Sequence, residues 1–147
     1  MTNLKVLGVV LGTLAVYTWV ANSIPQLESV VPEELSFSAD VTEAELVAAG
    51  QNLFNGGGGC LVCHGLPTRA PNLLTDQGGE GTIGQRCATR VQGADCKTYL
   101  YESLTDPTAY VLDGFDPMVF QARVFSGAQL WALVAFLQDQ GGPVTVT

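Results

Sequence analysis

Cys60-Leu61-Val62-Cys63-His64 is a C-x-x-C-H pentapeptide, and it contains the only histidine of the chain. The pattern is the signature of covalent c-type haem attachment. Two thiols three positions apart can each add across a vinyl group of a porphyrin, and the imidazole one residue later is placed to ligate the iron from the same face. With 147 residues there is room for roughly one domain and an appendage. One core is therefore expected, not two.

A haem iron held in a closed coordination sphere needs a second strong ligand, and no other histidine exists. Of the two methionines, Met1 belongs to the apolar N-terminal end, which leaves Met118 as the candidate thioether. A soft sulfur opposite an imidazole stabilises ferrous iron and raises the potential, as suits an electron relay in oxidising surroundings. The plainer reading of Met118 is a gap-filling core side chain.

The apolar residues are unevenly spread. Val6 to Val20 carries no charge, and continued to Ile24 the run reaches about 19 residues, close to the ~20 a bilayer-spanning helix needs. Lys5 precedes it, and Tyr17 and Trp19 stand at an interface-like end. A cleaved secretory signal is the competing reading, but its apolar region is usually ~7–15 residues and ends in a small-x-small site. Residues 1–24 are therefore expected to be a transmembrane anchor or uncleaved signal anchor. The single Lys5 favours a cytoplasmic N-terminus, which puts the following domain on the periplasmic or extracytoplasmic side. Gly8 and Gly12 form G-x-x-x-G, which would let a second membrane helix approach closely, although glycine is common in such helices.

Residues 25–41 read as a linker, with Pro25, Pro32 and the acidic Glu28, Glu33, Glu34 and Asp40 favouring an extended chain. Counted from Asn22 to Val41, a free coil of about 20 residues would span on the order of 25 Å. Ile24, Leu27, Val30, Val31 and Phe37 argue instead that parts lie against another surface. Export also bears on Cys87 and Cys96, the pair left after haem attachment. In an oxidising compartment they are expected to form a disulfide around a loop of about ten residues. The rival uses are a four-cysteine zinc site with Cys60 and Cys63, whose second half is too widely spaced, and a thioredoxin-type C-x-x-C, which needs a βαβ setting.

A domain is expected over residues 42–141, followed by a tail, 142–147. Thr42 and Glu45 make a capping box that starts a helix, with Leu46, Val47, Gly50, Leu53 and Phe54 at helical spacing. Ser126 and Gln129 repeat the box ahead of Leu130 to Leu137, and Gly141-Gly142-Pro143 stops that helix. Gly50 would let the two axes cross closely, with Phe54, Trp131 and Phe136 filling the flanks. Tyr99-Leu100-Tyr101 and Leu104 belong to a further helix expected to wall the haem. Asp106-Pro107 is expected to open another short helix, ended by Asp113-Gly114, which leaves Met118 in the loop behind it.

These parts together resemble the class I monohaem cytochromes c over about Thr42 to Gln140. The matching pieces are Gly50-x-x-x-Phe54, Cys60-x-x-Cys63-His64-Gly65, Ala70-Pro71-Asn72-Leu73, the late Met118 and the run Leu130 to Leu137, in the family's order. The resemblance implies an all-α domain around one covalent haem c, with first and last helices crossing at the glycine. It implies that Pro71 supplies the carbonyl that accepts a hydrogen bond from the unligated nitrogen of His64. Two departures stand out. Pro117 precedes Met118 where the family usually has a proline after the methionine, and four glycines, Gly56 to Gly59, lengthen the approach to Cys60.

Net charge is −8, yet residues 69–97 carry four cations against three carboxylates, net +1. Arg69, Arg86 or Arg90 is expected to pair with a haem propionate. An acidic carrier is steered toward basic protein faces and away from nucleic acid. The sequence thus predicts a membrane-anchored electron carrier rather than an enzyme, with redox proteins, integral membrane subunits among them, as partners and no small-molecule substrate. It would be a haem subunit of a respiratory or photosynthetic complex, with a free tethered shuttle, or a haem enzyme or gas sensor with an open sixth iron site, as alternatives.

Overall fold

The computed structural model describes residues 2–24, 41–65, 69–120 and 122–146. The linker reading falls on 25–40, outside the described residues, apart from Val41, which is half-buried against the core. The regular elements among the described residues are all helices, with no strand among them.

Helix α1, Thr2–Ser23, is exposed along its described length and includes an apolar stretch, Asn3–Ser23, with mean hydropathy 1.8, long and apolar enough to cross a membrane. Two of its hydroxyls are satisfied within the helix, Thr13 Oγ1 donating to the Val9 carbonyl at 2.9 Å and Ser23 Oγ to that of Trp19 at 2.8 Å. Such pairing is what an apolar medium demands of polar groups. No atom lies within 4 Å of a Cβ placed on Gly8 or Gly12, so the glycines leave a bare strip on the helix surface.

Helix α2, Glu43–Asn55, starts at the predicted capping box, with the Thr42 amide donating to Glu45 Oε2 at 2.8 Å and the Glu45 amide to Thr42 Oγ1 at 3.3 Å. That carboxylate's pKa is lowered, first by the Thr42 amide and then by the Thr42 hydroxyl. Helix α3, Leu61–His64, is the single turn of the C-x-x-C-H motif, and α4, Ile83–Arg86, is another single turn, running into a 3₁₀ turn at Cys87–Thr89. Helix α5, Cys96–Thr105, is capped by Asp95, whose carboxylate accepts from the Thr98 amide at 2.7 Å. A 3₁₀ turn at Ala122–Val124 precedes α6, Gly127–Asp139, which is capped by Ser126 and Gln129 as expected.

Helix α6 is the centre of the domain. Residues 132–138 are all buried, which is what an uncharged, mostly apolar stretch of helix requires, and α2, α4 and α5 pack around α6. The most extensive pair is α2 with α6. A Cβ on Gly50 would collide with the carbonyl oxygen of Ala132 and lie 2.7 Å from Phe136 Cβ, so the two backbones meet there. Phe54 and Phe136 close one flank, ring centroids 5.3 Å apart. Trp131 stacks on Tyr101 of α5, with centroids 4.3 Å apart and planes at 18°.

Residues 142–146 return to the core. Val146 is buried, and the buried Gln138 amide exchanges two 2.9 Å hydrogen bonds with Thr145, one to its hydroxyl and one from its backbone amide. Gly84 and Gly142 meet backbone to backbone, and the Gly84 amide donates to the Gln140 carbonyl at 3.1 Å. This contact ties α4 to the end of α6.

One expected helix is absent. The chain after Asp106 makes a single turn, closed by the Ala109 amide on the Asp106 carbonyl at 3.0 Å and by Thr108 Oγ1 on Asp106 Oδ1 at 2.7 Å. A second turn follows at Leu112–Phe115 with Gly114 at φ +86°. Asp then Pro starts a helix, but the same dipeptide fills the first two places of a type I turn. Thr108, Tyr110 and Val111 have little helix propensity with which to carry it further.

Candidate functional site

The glycine run sets the position of the motif. Gly58 donates to the Leu53 carbonyl at 2.7 Å, where a Cβ would lie 2.6 Å from the same oxygen, and Gly59 adopts φ +64°. Both are conformations that side chains resist. Together they fold the chain back from α2 so that Cys60 opens onto the interior.

The motif borders a cavity of about 400 Å³. Cys60, Cys63, His64, Pro71 and Met118 all line it, so five residues from three separate stretches of sequence come together. The rest of the wall is mainly apolar, with Phe54 from α2, Leu100 and Leu104 from α5, Leu133 and Leu137 from α6, and Phe115 beside Met118. Its size and lining fall in the range of small-molecule and cofactor pockets. Tyr99 and Ser103 add hydroxyl-bearing residues on the α5 side. Tyr99 meets Tyr110 edge-on at 5.9 Å, and burial raises its phenol pKa. Tyr101 of the same helix is not in the wall, being stacked on Trp131.

His64 Nδ1 lies 2.8 Å from the Pro71 carbonyl oxygen. A carbonyl only accepts, so Nδ1 is the protonated nitrogen and Nε2 keeps its lone pair. Burial lowers the imidazole pKa and so favours the neutral ring, while the Pro71 hydrogen bond opposes that shift. Burial pushes the Cys60 thiol up to about 11, so an unreacted Cys60 is a thiol at neutral pH, with its sulfur 3.7 Å from the Gly58 carbonyl oxygen.

Cys87 and Cys96 sit at disulfide distance, S–S 1.92 Å and Cα–Cα 4.8 Å, with Cys87 fully buried. Their pairing leaves Cys60 and Cys63 as the free cysteines, so the four-cysteine zinc arrangement is not assembled. It also staples the turn after α4 to the first residue of α5, the helix that walls the cavity.

The three arginines separate. Arg69 lines the cavity mouth. Arg90 pairs with Glu80 at 2.8 Å. Arg86 is 3% exposed and donates to the backbone carbonyls of Asn72, Gly81 and Thr75. The sequence did not single out the wall residues Tyr110, Val111, Phe115 and Val119, although an apolar run flanking Met118 was there to be read. Nothing in the sequence marked Arg86 as buried. Comparison with protein-family models, curated proteins and solved structures finds no match to the chain.

Proposed function

We propose that this chain is a membrane-anchored c-type cytochrome that passes single electrons between redox proteins. One observation carries the reading. The lone histidine of a C-x-x-C-H motif has its Nδ1 hydrogen-bonded to the Pro71 carbonyl and its Nε2 without a hydrogen-bond partner among the described residues, in a largely apolar cavity that Met118 also lines. A bare metal ion would need three or four protein ligands. Among the described residues no group of three or more His, Cys, Asp or Glu side chains is gathered for one. An imidazole and a thioether suit a metal that arrives with its other ligands already in place, as iron does in a porphyrin.

In that reading Cys60 and Cys63 hold the haem c by thioether bonds, and His64 and Met118 are the iron's protein ligands. The bound group supplies one reversible electron change at iron. The Pro71 carbonyl orients the His64 ring and raises its basicity as a donor. Phe54, Leu100, Leu133 and Leu137 exclude water and keep the local dielectric low. Arg69 at the cavity mouth is the cation best placed for a propionate. Helix α1 would hold the domain at a membrane, and a disulfide between Cys87 and Cys96 suits an oxidising, extracytoplasmic compartment. The bare Gly8/Gly12 strip favours a fixed subunit of an electron-transfer complex over a free shuttle.

The test is optical. An exported sample should give a haem c spectrum in alkaline pyridine, cycle reversibly between ferrous and ferric forms, and show the weak near-infrared methionine-to-iron band. The second reading, a haem enzyme or gas sensor with an open sixth site, draws on Pro117 standing before Met118 and on the turn rather than helix that leads into this loop. High-spin iron that binds carbon monoxide quickly would select it. Detergent extraction bears on partners: copurifying integral proteins support the subunit form, and a solitary monomer opposes it.

A further inference from the structure

Arg86 is a cation with almost no access to water. Burying a charge is costly unless it is paired and hydrogen-bonded, and the nearby carboxylate of Glu80 is taken by Arg90. Burial is the first cause of its lowered pKa, followed by the Arg90 charge. The Glu80 and Asp76 carboxylates oppose that lowering without an ion-pair contact among the described residues, and the guanidinium itself holds backbone. Nη2 donates to the Asn72 carbonyl, and Nη1 to that of Gly81 and, at 3.4 Å, that of Thr75, while Nε is buried without a partner. So expensive an arrangement needs a reason beyond packing.

The reason lies in which carbonyls are held. Three in succession each meet a named donor: Pro71 faces His64 Nδ1 at 2.8 Å, Asn72 takes Arg86 Nη2, and Leu73 takes the Ile83 amide at 2.9 Å. The Asn72 side chain closes the turn from within, accepting from the amides of Leu74 at 3.0 Å and Thr75 at 3.1 Å. The peptide after Pro71 is thus fixed by α4 on one side and by its own turn on the other. A rigid Asn72 carbonyl leaves the Pro71 carbonyl little freedom to swing away from the imidazole.

Resting on the cytochrome reading above, we propose that Arg86 is a positioning residue for His64. By forking onto the carbonyls of Asn72, Thr75 and Gly81 it holds the Pro71 carbonyl on Nδ1, and so sets the plane and donor strength of the iron's imidazole. The guanidinium suits this task because its donors form a rigid planar fork, whereas an ammonium is a point donor on a flexible stem.

Arg86→Lys separates the fork from the charge. In the haem-loaded protein with 15N-labelled histidine, solvent exchange of the His64 Nδ1 proton is read by NMR on the reduced form, beside the midpoint potential. The expected result is exchange at least tenfold faster and a higher potential, since a looser hydrogen bond leaves a poorer donor to ferric iron. Wild-type exchange and potential in a variant whose melting temperature falls would overturn the proposal, leaving Arg86 as a loop staple only. Should the variant not accumulate, the wild-type protein in sub-denaturing urea decides. The Nδ1 proton and the Ile83 amide, which bonds Leu73, should exchange through one opening with the same urea dependence. Exchange of the Nδ1 proton through a separate, shallower opening would overturn it. Haem content is measured first, so a failure of the cytochrome reading, which takes this inference with it, is told apart from a failure of Arg86 alone.

Discussion

Gly50→Ala reports on the helix crossing that frames the cavity. Gly50 lies inside α2, so alanine gains about 1 kcal/mol of helix propensity. Against this, the new Cβ meets a backbone oxygen, that of Ala132, and Phe136 Cβ at 2.7 Å, neither of which can rotate aside. Overpacking in a close-packed interior costs typically about 1–3 kcal/mol, and a collision with backbone belongs at or above the upper end. The net is a loss of about 2 kcal/mol. For a domain of this size that is on the order of 10 °C in melting temperature, at about 4–8 °C per kcal/mol. Gly127→Ala is the matched control. It opens α6 with nothing within 4 Å of its would-be Cβ, and gains roughly 0.4–1 kcal/mol from reduced freedom of the unfolded chain. Thermal and urea unfolding of both variants are the assay. The sign decides: a Gly50→Ala protein as stable as the parent, or stabilised like Gly127→Ala, would refute the close crossing of α2 and α6.

Replacing Cys87 and Cys96 by serine should cost about 2–3 kcal/mol, from the entropy of a loop of about ten residues, read by urea unfolding of the non-reduced proteins. Gln138→Leu leaves the Thr145 amide without its acceptor and should cost about 1–3 kcal/mol, and an unchanged urea midpoint would mean the 142–146 return is incidental. The Asp95 carboxylate is held below its ordinary pKa, first by the Thr98 amide. Its contribution is therefore present above the usual aspartate range and lost as pH falls through the folded value. The melting-temperature gap between wild type and Asp95→Ala should close on acidification, and a gap independent of pH would count against the cap. If the cytochrome proposal holds, raising ionic strength should slow electron transfer to a basic partner, and an unchanged rate would remove the steering idea.

What could be read from the sequence was what local chemistry decides alone. Thr42 with Glu45 and Ser126 with Gln129 name helix starts because each box is closed within four residues, and Gly50 names a crossing because only a missing Cβ lets backbones touch. Cys87 with Cys96 followed from pairing arithmetic, and the pair does lie at disulfide distance. The sequence singled out Cys60, Cys63, His64, Pro71 and Met118, and the fold lines one cavity with all five. Long-range choices were not legible. Asp106-Pro107 is equally good as a helix start and as a turn, and only the path of the following chain decides. The stacking of Trp131 on Tyr101 depends on where α5 lies, which no local pattern states. Arg86 looks like a surface cation until Asn72, Thr75 and Gly81 are brought around it.

The central claim is that one porphyrin is joined by two thioether bonds to the C-x-x-C-H site. Intact-mass measurement of the exported protein, followed by sequencing of the proteolytic fragment that holds residues 60–64, tests it directly. The account predicts the mass of the chain plus one haem, retained under denaturing conditions and carried by the fragment with Cys60 and Cys63. A properly exported chain at its bare polypeptide mass, with both thiols free to alkylate, would contradict it.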